Sequence, residues 1–73
     1  MTFTPKSQRK LIVRLLEEGY VTPAAFRKIH PWGRSVFTHY EYLKRVKSYA
    51  NDSANRDFHL KLLSIAHQYN LDF

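Results

Sequence analysis

Residues 21–50 read VTPAAFRKIHPWGRSVFTHYEYLKRVKSYA, and the fold turns on how this stretch is punctuated. Thr22-Pro23 is a helix start: threonine can cap the first amides, and proline's fixed φ suits the first helical position. Ala24, Ala25, Phe26 and Ile29 are the small or apolar positions of a brief helix over residues 23–30. Pro31 ends it, and His30 should already be leaving the helix, because a residue before proline avoids the helical region. Pro31-Trp32-Gly33 reads as a turn in which Gly33 frees the backbone to reverse. Trp32 reads as a plug between helices. A longer helix follows over residues 35–50, opened by Arg34 or Ser35, with Ser35 as its N-cap. On it Val36, Tyr40, Leu43, Val46 and Ala50 share one face. Arg34, Thr38, Glu41 and Arg45 line the opposite one. Phe37 and Lys44 flank on one side, Tyr42 and Tyr49 on the other.

Outward from this stretch the same signals recur. Thr4-Pro5 repeats the capped start, and Gln8, Leu11, Ile12, Leu15 and Leu16 then fall on one side at helical spacing. Lys10, Arg14 and Glu17 fall opposite. Gly19 is a natural stop, so the first helix spans residues 5–18. On the other flank, Asn51-Asp52-Ser53 supplies a break and a further cap. A fourth helix over residues 54–69 places Phe58, Leu62, Ile65, Ala66 and Tyr69 on one face, with Asn70 as its left-handed terminator. Leu60, Leu63 and His67 lie off that face as a second apolar strip, a candidate for self-association into a homodimer. No Gly or Pro occurs from Arg34 onward, and strand alternation is absent. The expected fold is all-α: a four-helix small domain over residues 1–73, with a helix-turn-helix-like trihelical core.

Size and composition narrow the function. A chain of 73 residues buries only about 60% of its extended surface, which leaves little room for a deep pocket. There is no cysteine, hence no disulfide framework and no thiolate site. The N-terminus lacks the apolar segment of a signal peptide, and no apolar run is long enough to span a bilayer. A cytoplasmic protein with no membrane partner is expected. The net charge is +6 and the pI near 9.9, which favours an acidic partner. Lys6, Arg9, Lys10, Arg14, Arg27, Lys28, Arg34, Lys44, Arg45 and Lys47 all precede residue 51. The tail sets Arg56 and Lys61 against Asp52, Asp57 and Asp72. The positive field therefore belongs to the first fifty residues.

Catalysis and metal binding find little support. Glu17 and Glu18 are adjacent and point apart on a helix, and neither a glycine-rich phosphate loop nor a nucleophile elbow is present. His30 sits by a proline, His39 near the inner side of its helix, and His59 and His67 are two turns apart. No HxxxH or HExxH pair exists. No metal or other cofactor is expected, the histidines read as titratable surface groups, and the chain reads as a non-enzyme.

Nucleic-acid recognition fits better. A helix that enters the major groove needs a packed inner face and a polar outer face, with base-reading side chains in its first turns. In the helix over residues 35–50, Arg34 suits a bidentate contact to guanine. Ser35 and Thr38 suit a base edge or phosphate, Phe37 a thymine methyl, and Glu41 a cytosine amine. Lys44, Arg45 and Lys47 would lie nearer phosphates. Thr22, at the start of the preceding helix, and Lys6, Arg9, Arg27 and Lys28 are candidates for flanking backbone contacts.

The order T-P-x-x-F at Thr22 to Phe26, a turn with Trp32 and Arg34, and the apolar spacing Val36, Tyr40, Leu43 resembles the small helix-turn-helix or winged-helix regulators of phages and mobile elements. The segment SQRKLIVRLLEEGYV before it matches their first helix, so the resemblance covers roughly residues 7–45. A fourth helix, in place of a strand-forming wing, follows. The resemblance implies duplex DNA as partner and transcription regulation as role. Two other readings use the same surface. Tyr20, Phe37, Tyr42 and Tyr49 with the arginines are residue types that dominate protein interfaces, as in an inhibitor or adaptor acting on a host protein. Exposed aromatics also stack on unpaired RNA bases.

Overall fold

The computed structural model describes residues 4–46 and 53–71. Among these it has four helices and no strand: α1 (Pro5–Glu17), α2 (Pro23–Ile29), α3 (Val36–Arg45) and α4 (Ser53–Gln68). The all-α architecture expected from the punctuation is the one observed.

The starts of α1, α2 and α3 are built by the caps that the sequence supplies. Thr4 and Ser7 form a reciprocal box, in which Ser7 N donates to Thr4 Oγ1 at 3.1 Å and Thr4 N donates to Ser7 Oγ at 3.1 Å. Thr22 Oγ1 accepts from Ala25 N, and Ser35 Oγ from Thr38 N. The ends are equally explicit. Gly19 takes φ +77°, Gly19 N donates to Leu16 O and Tyr20 N to Leu15 O. This left-handed termination satisfies carbonyls that the helix itself cannot. Asn70, at φ +57°, repeats the arrangement at the end of α4, with Asn70 N donating to His67 O and Leu71 N to Ala66 O.

The core lies where α1, α2 and α4 meet. Leu11, Ile12 and Leu15 of α1 pack with Val21, with Phe26 of α2, and with Phe58, Leu62 and Ala66 of α4. Phe26 is fully enclosed and meets the ring of Phe58 edge-on, 5.4 Å between centroids. α3 adds Leu43 and His39 as buried residues, with Val36 and Tyr40 half-buried against the cluster. Tyr20 and Tyr69, at the adjacent C-terminal ends of α1 and α4, stack at 4.4 Å.

Three expectations need correction. The third helix was expected to reach residue 50, but it ends at Arg45, with Val46 extended at ψ 126°. The reason is reach. A helix carried to residue 50 would advance about 16 Å beyond His39 at 1.5 Å per residue. Of that, an α4 doubling straight back recovers about 8 Å by Phe58 and a fully extended link between the two helices about 10 Å, so closure would be possible only at the limit of extension. Yet Phe58 lies against His39, 5.2 Å between ring centroids. Tertiary closure overrides helix propensity here. Lys47, Tyr49, Ala50, Asn51 and Asp52 lie outside the described residues. The second correction concerns Trp32. It is 48% exposed and is no plug; its ring rests edge-on against His30 and Tyr42. The third concerns the histidines. His30, His39 and His59 are buried and only His67 is at the surface.

Candidate nucleic-acid interface

The outward side of α3 is set by its inward side. With Val36, His39, Tyr40 and Leu43 turned to the other helices, the helical period leaves Phe37, Thr38, Lys44 and Arg45 exposed and Glu41 half-exposed. Phe37 is 73% exposed, a large apolar ring at the first turn of the helix. Thr38 Oγ1 lies 3.1 Å from Ser35 Oγ, so both hydroxyls are tied to the N-cap. Glu41 pairs with Lys44 at 3.3 Å, on the surface. Such an exposed pair contributes little to stability and can open toward a ligand.

The expected base-contact residues thus share one end and one side of α3. Arg34 and Thr38 border a notch walled by Trp32 and Tyr42 and floored by His30 and His39. Ser35 and Phe37 border a second, more apolar depression with Leu16, Pro23 and Ala24, whose rim carries Arg27 and Lys28. On the far side of α3, Lys6, Arg9 and Lys44 surround a shallow dip over Tyr40 and Leu43. The Arg9 guanidinium sits 5.0 Å above the Tyr40 ring, a cation–π contact that fixes where this charge is held. Burial raises the Tyr40 hydroxyl above its usual range, with Arg9 opposing and Glu17 adding to that shift. Thr22 is occupied as the cap of α2, so its hydroxyl oxygen already has an N–H. Lys47 is outside the described residues. The remaining expected phosphate contacts are exposed and flank α3 on both sides.

Other expected surface aromatics are engaged within the fold: Tyr20 with Tyr69, and Tyr42 with Trp32 and His39. On α4, Leu60 and His67 are exposed and Leu63 is half-buried, around a shallow depression that also includes Ser64 and Gln68.

Beneath the notch is a feature that reading the sequence missed. His30 Nε2 lies 2.8 Å from His39 Nδ1, and His39 Nε2 lies 2.8 Å from Gln8 Oε1. Gln8 Nε2 in turn donates to Asn55 Oδ1 at 3.3 Å. Gln8, His39 and Asn55 are each at most 1% exposed. A buried polar group needs a partner, and here each satisfies the next across α1, α3, α4 and the turn after α2. Three successive amides also converge on His30: Trp32 N and Arg34 N donate to its Nδ1 at 3.3 Å each, and Gly33 N to its carbonyl at 3.0 Å. Burial and the Arg34 guanidinium hold His30 below the ordinary histidine range. Burial, then the neighbouring His30, pushes His39 down to about 4. His59 is lowered by burial. The one available signal was Gln8, a polar residue in an otherwise apolar helical stripe with His39 on the inner side of α3.

Among the described residues no three His, Cys, Asp or Glu side chains come together as a metal-binding group, and no helix is long and apolar enough to cross a membrane. Comparison of the chain with protein-family models, curated proteins and solved structures gives no match.

Proposed function

We propose that the chain binds duplex DNA in a regulatory role, through a helix-turn-helix unit formed by α2, the turn at residues 30–35 and α3. The carrying observation is the division of α3: a packed inner face, and an outer face that brings Arg34, Phe37, Thr38 and Arg45 to solvent between cations of α1 and α2. In this reading Arg34, Ser35, Phe37, Thr38 and Glu41 contact base edges. Lys6, Arg9, Arg27, Lys28, Lys44 and Arg45 contact phosphates, which set register without reading sequence. Thr22, through its hydroxyl proton, and Lys47 complete the phosphate set.

Affinity for duplex DNA is expected to fall steeply with salt, as bound phosphates release their counterions. Arg34→Ala is expected to cost roughly 1–3 kcal/mol on the preferred site and to relax preference at one position. A titration at low ionic strength across a pool of duplexes, with no binding to any, would remove the reading. An equal loss for Arg34→Ala on every sequence would reassign Arg34 to a phosphate.

One observation favours a second reading. Phe37 stands beside the depression of Leu16, Pro23 and Ala24 with Arg27 and Lys28 at its rim, which suits an acidic protein segment with an apolar anchor. Capture of a host protein from nuclease-treated extract, abolished by Phe37→Ala, would favour that reading. Binding to unpaired RNA in preference to duplex DNA would favour the third.

A further inference from the structure

We propose that Gln8, His39 and His30 are positioning residues for Arg34: a hydrogen-bond chain with a fixed proton order sets the turn that presents Arg34 beside Thr38, and one added proton releases it. The positioning claim concerns the turn; its consequence for DNA rests on the reading above.

The proton order follows from the end of the chain that cannot flip. Trp32 N and Arg34 N are backbone donors, so His30 Nδ1 must be a bare acceptor. The His30 proton is therefore on Nε2, which donates to His39 Nδ1. His39 then carries its proton on Nε2 and donates to Gln8 Oε1. That fixes the amide of Gln8, whose Nε2 faces and donates to Asn55 Oδ1. Reversing any link places N–H against N–H at the next. Both rings are neutral in this order, and each ring nitrogen is used.

A proton added to His39 Nδ1 meets the His30 Nε2 proton. If His30 yields by moving its own proton to Nδ1, that proton meets the amides of Trp32 and Arg34. The conflict is passed along the chain to the turn. Among the described residues no carboxylate is placed to absorb the charge: α1 contributes Gln8 and α4 contributes Asn55 and Phe58. Phe26 of α2 and Tyr42 of α3 complete the ring contacts. The charged group bearing on His30 is the Arg34 guanidinium, which opposes protonation, and His30 bears in the same way on His39. The turn is thus held above the protonation range and released below it, and Arg34 leaves Thr38 when it opens.

Trp32 is the only tryptophan of the chain, and it lies in this turn. Its emission maximum therefore reports the turn without any DNA. As pH falls from 7.5, the maximum is expected to shift to the red before helix content falls by circular dichroism, and duplex affinity to fall with the same midpoint. Gln8→Glu sets a carboxylate against His39 Nε2 and should raise the midpoint of the emission shift by roughly one pH unit or more. His30→Asn keeps an acceptor near the Nδ1 position but cannot titrate, and should flatten the emission shift between pH 6.5 and 4. Red shift and helix loss at one common midpoint in the parent chain, or a midpoint unmoved in Gln8→Glu, overturns the proposal. If Gln8→Glu does not fold, a His30→Asn chain that titrates like the parent overturns it equally. A chain whose emission follows these expectations but which binds no duplex at pH 7.5 keeps the positioning device and removes the DNA reading.

Discussion

His30 shows how one residue can serve several levels of structure. Its backbone ends α2 in an extended conformation, its carbonyl closes the turn with Gly33, and its ring joins the turn to α3. Pro31 forces the first of these, and burial makes the last obligatory. Because folding lowers His30, His39 and His59, the unfolded chain binds more protons between about pH 4 and pH 6.5, the ordinary histidine value. Stability contributed by the neutral rings is complete above that window and is lost as pH falls through it. Thermal melts at pH 7.5, 6 and 5 should give a falling midpoint. A midpoint constant to within a degree or so would mean that these rings are not buried neutral. Gly33 belongs to the same scale: at φ +63° it holds a conformation that other residues rarely adopt, although its side is open enough to admit a methyl group.

At the scale of elements, α4 buries one face and still leaves apolar surface uncovered on another. α4 turns Asn55, Phe58, His59, Leu62 and Ala66 inward, yet Leu60 remains 54% exposed. Leu63 of the same strip is half-buried and packs on the core, so it is a poor probe of association. Leu60→Glu is the cleaner one. If α4 pairs with a second copy through this strip, sedimentation of the parent chain at high concentration should exceed the monomer mass and that of Leu60→Glu should not; equal masses remove the homodimer. The starts and stops of these helices were legible because they depend on local chemistry: Thr4, Thr22 and Ser35 as caps, Gly19 and Asn70 as left-handed ends, Pro31 as breaker. The end of α3 was not legible, since no local residue enforces it and the return of Phe58 to His39 does. The exposed members of the candidate site followed from periodicity in α3. The histidine chain did not, because pairing between residues 8, 30, 39 and 55 is a property of closure rather than of neighbours.

The whole molecule is small and tight, with a radius of gyration of 11.3 Å. Its centre is part hydrocarbon and part hydrogen-bonded, with Leu11, Ile12, Phe26 and Leu62 beside Gln8, His39 and Asn55. The lysines and arginines of α1, α2, α3 and the turn at Arg34 are all exposed. α2 is the weak partner in this assembly. Seven residues make fewer than two turns, too few to outweigh the cost of nucleating a helix in water, so α2 holds only while Phe26 is seated against Phe58. The order of events in folding follows. We expect α2 to dock after α1 and α4 have packed, once its socket exists. Ala24→Gly, at an exposed position of α2, should therefore accelerate unfolding and leave the refolding rate nearly unchanged in stopped-flow kinetics. Slower refolding of that variant would place α2 in the nucleus instead. A helix of seven residues cannot stand alone, so the face it helps to build exists only in the finished molecule.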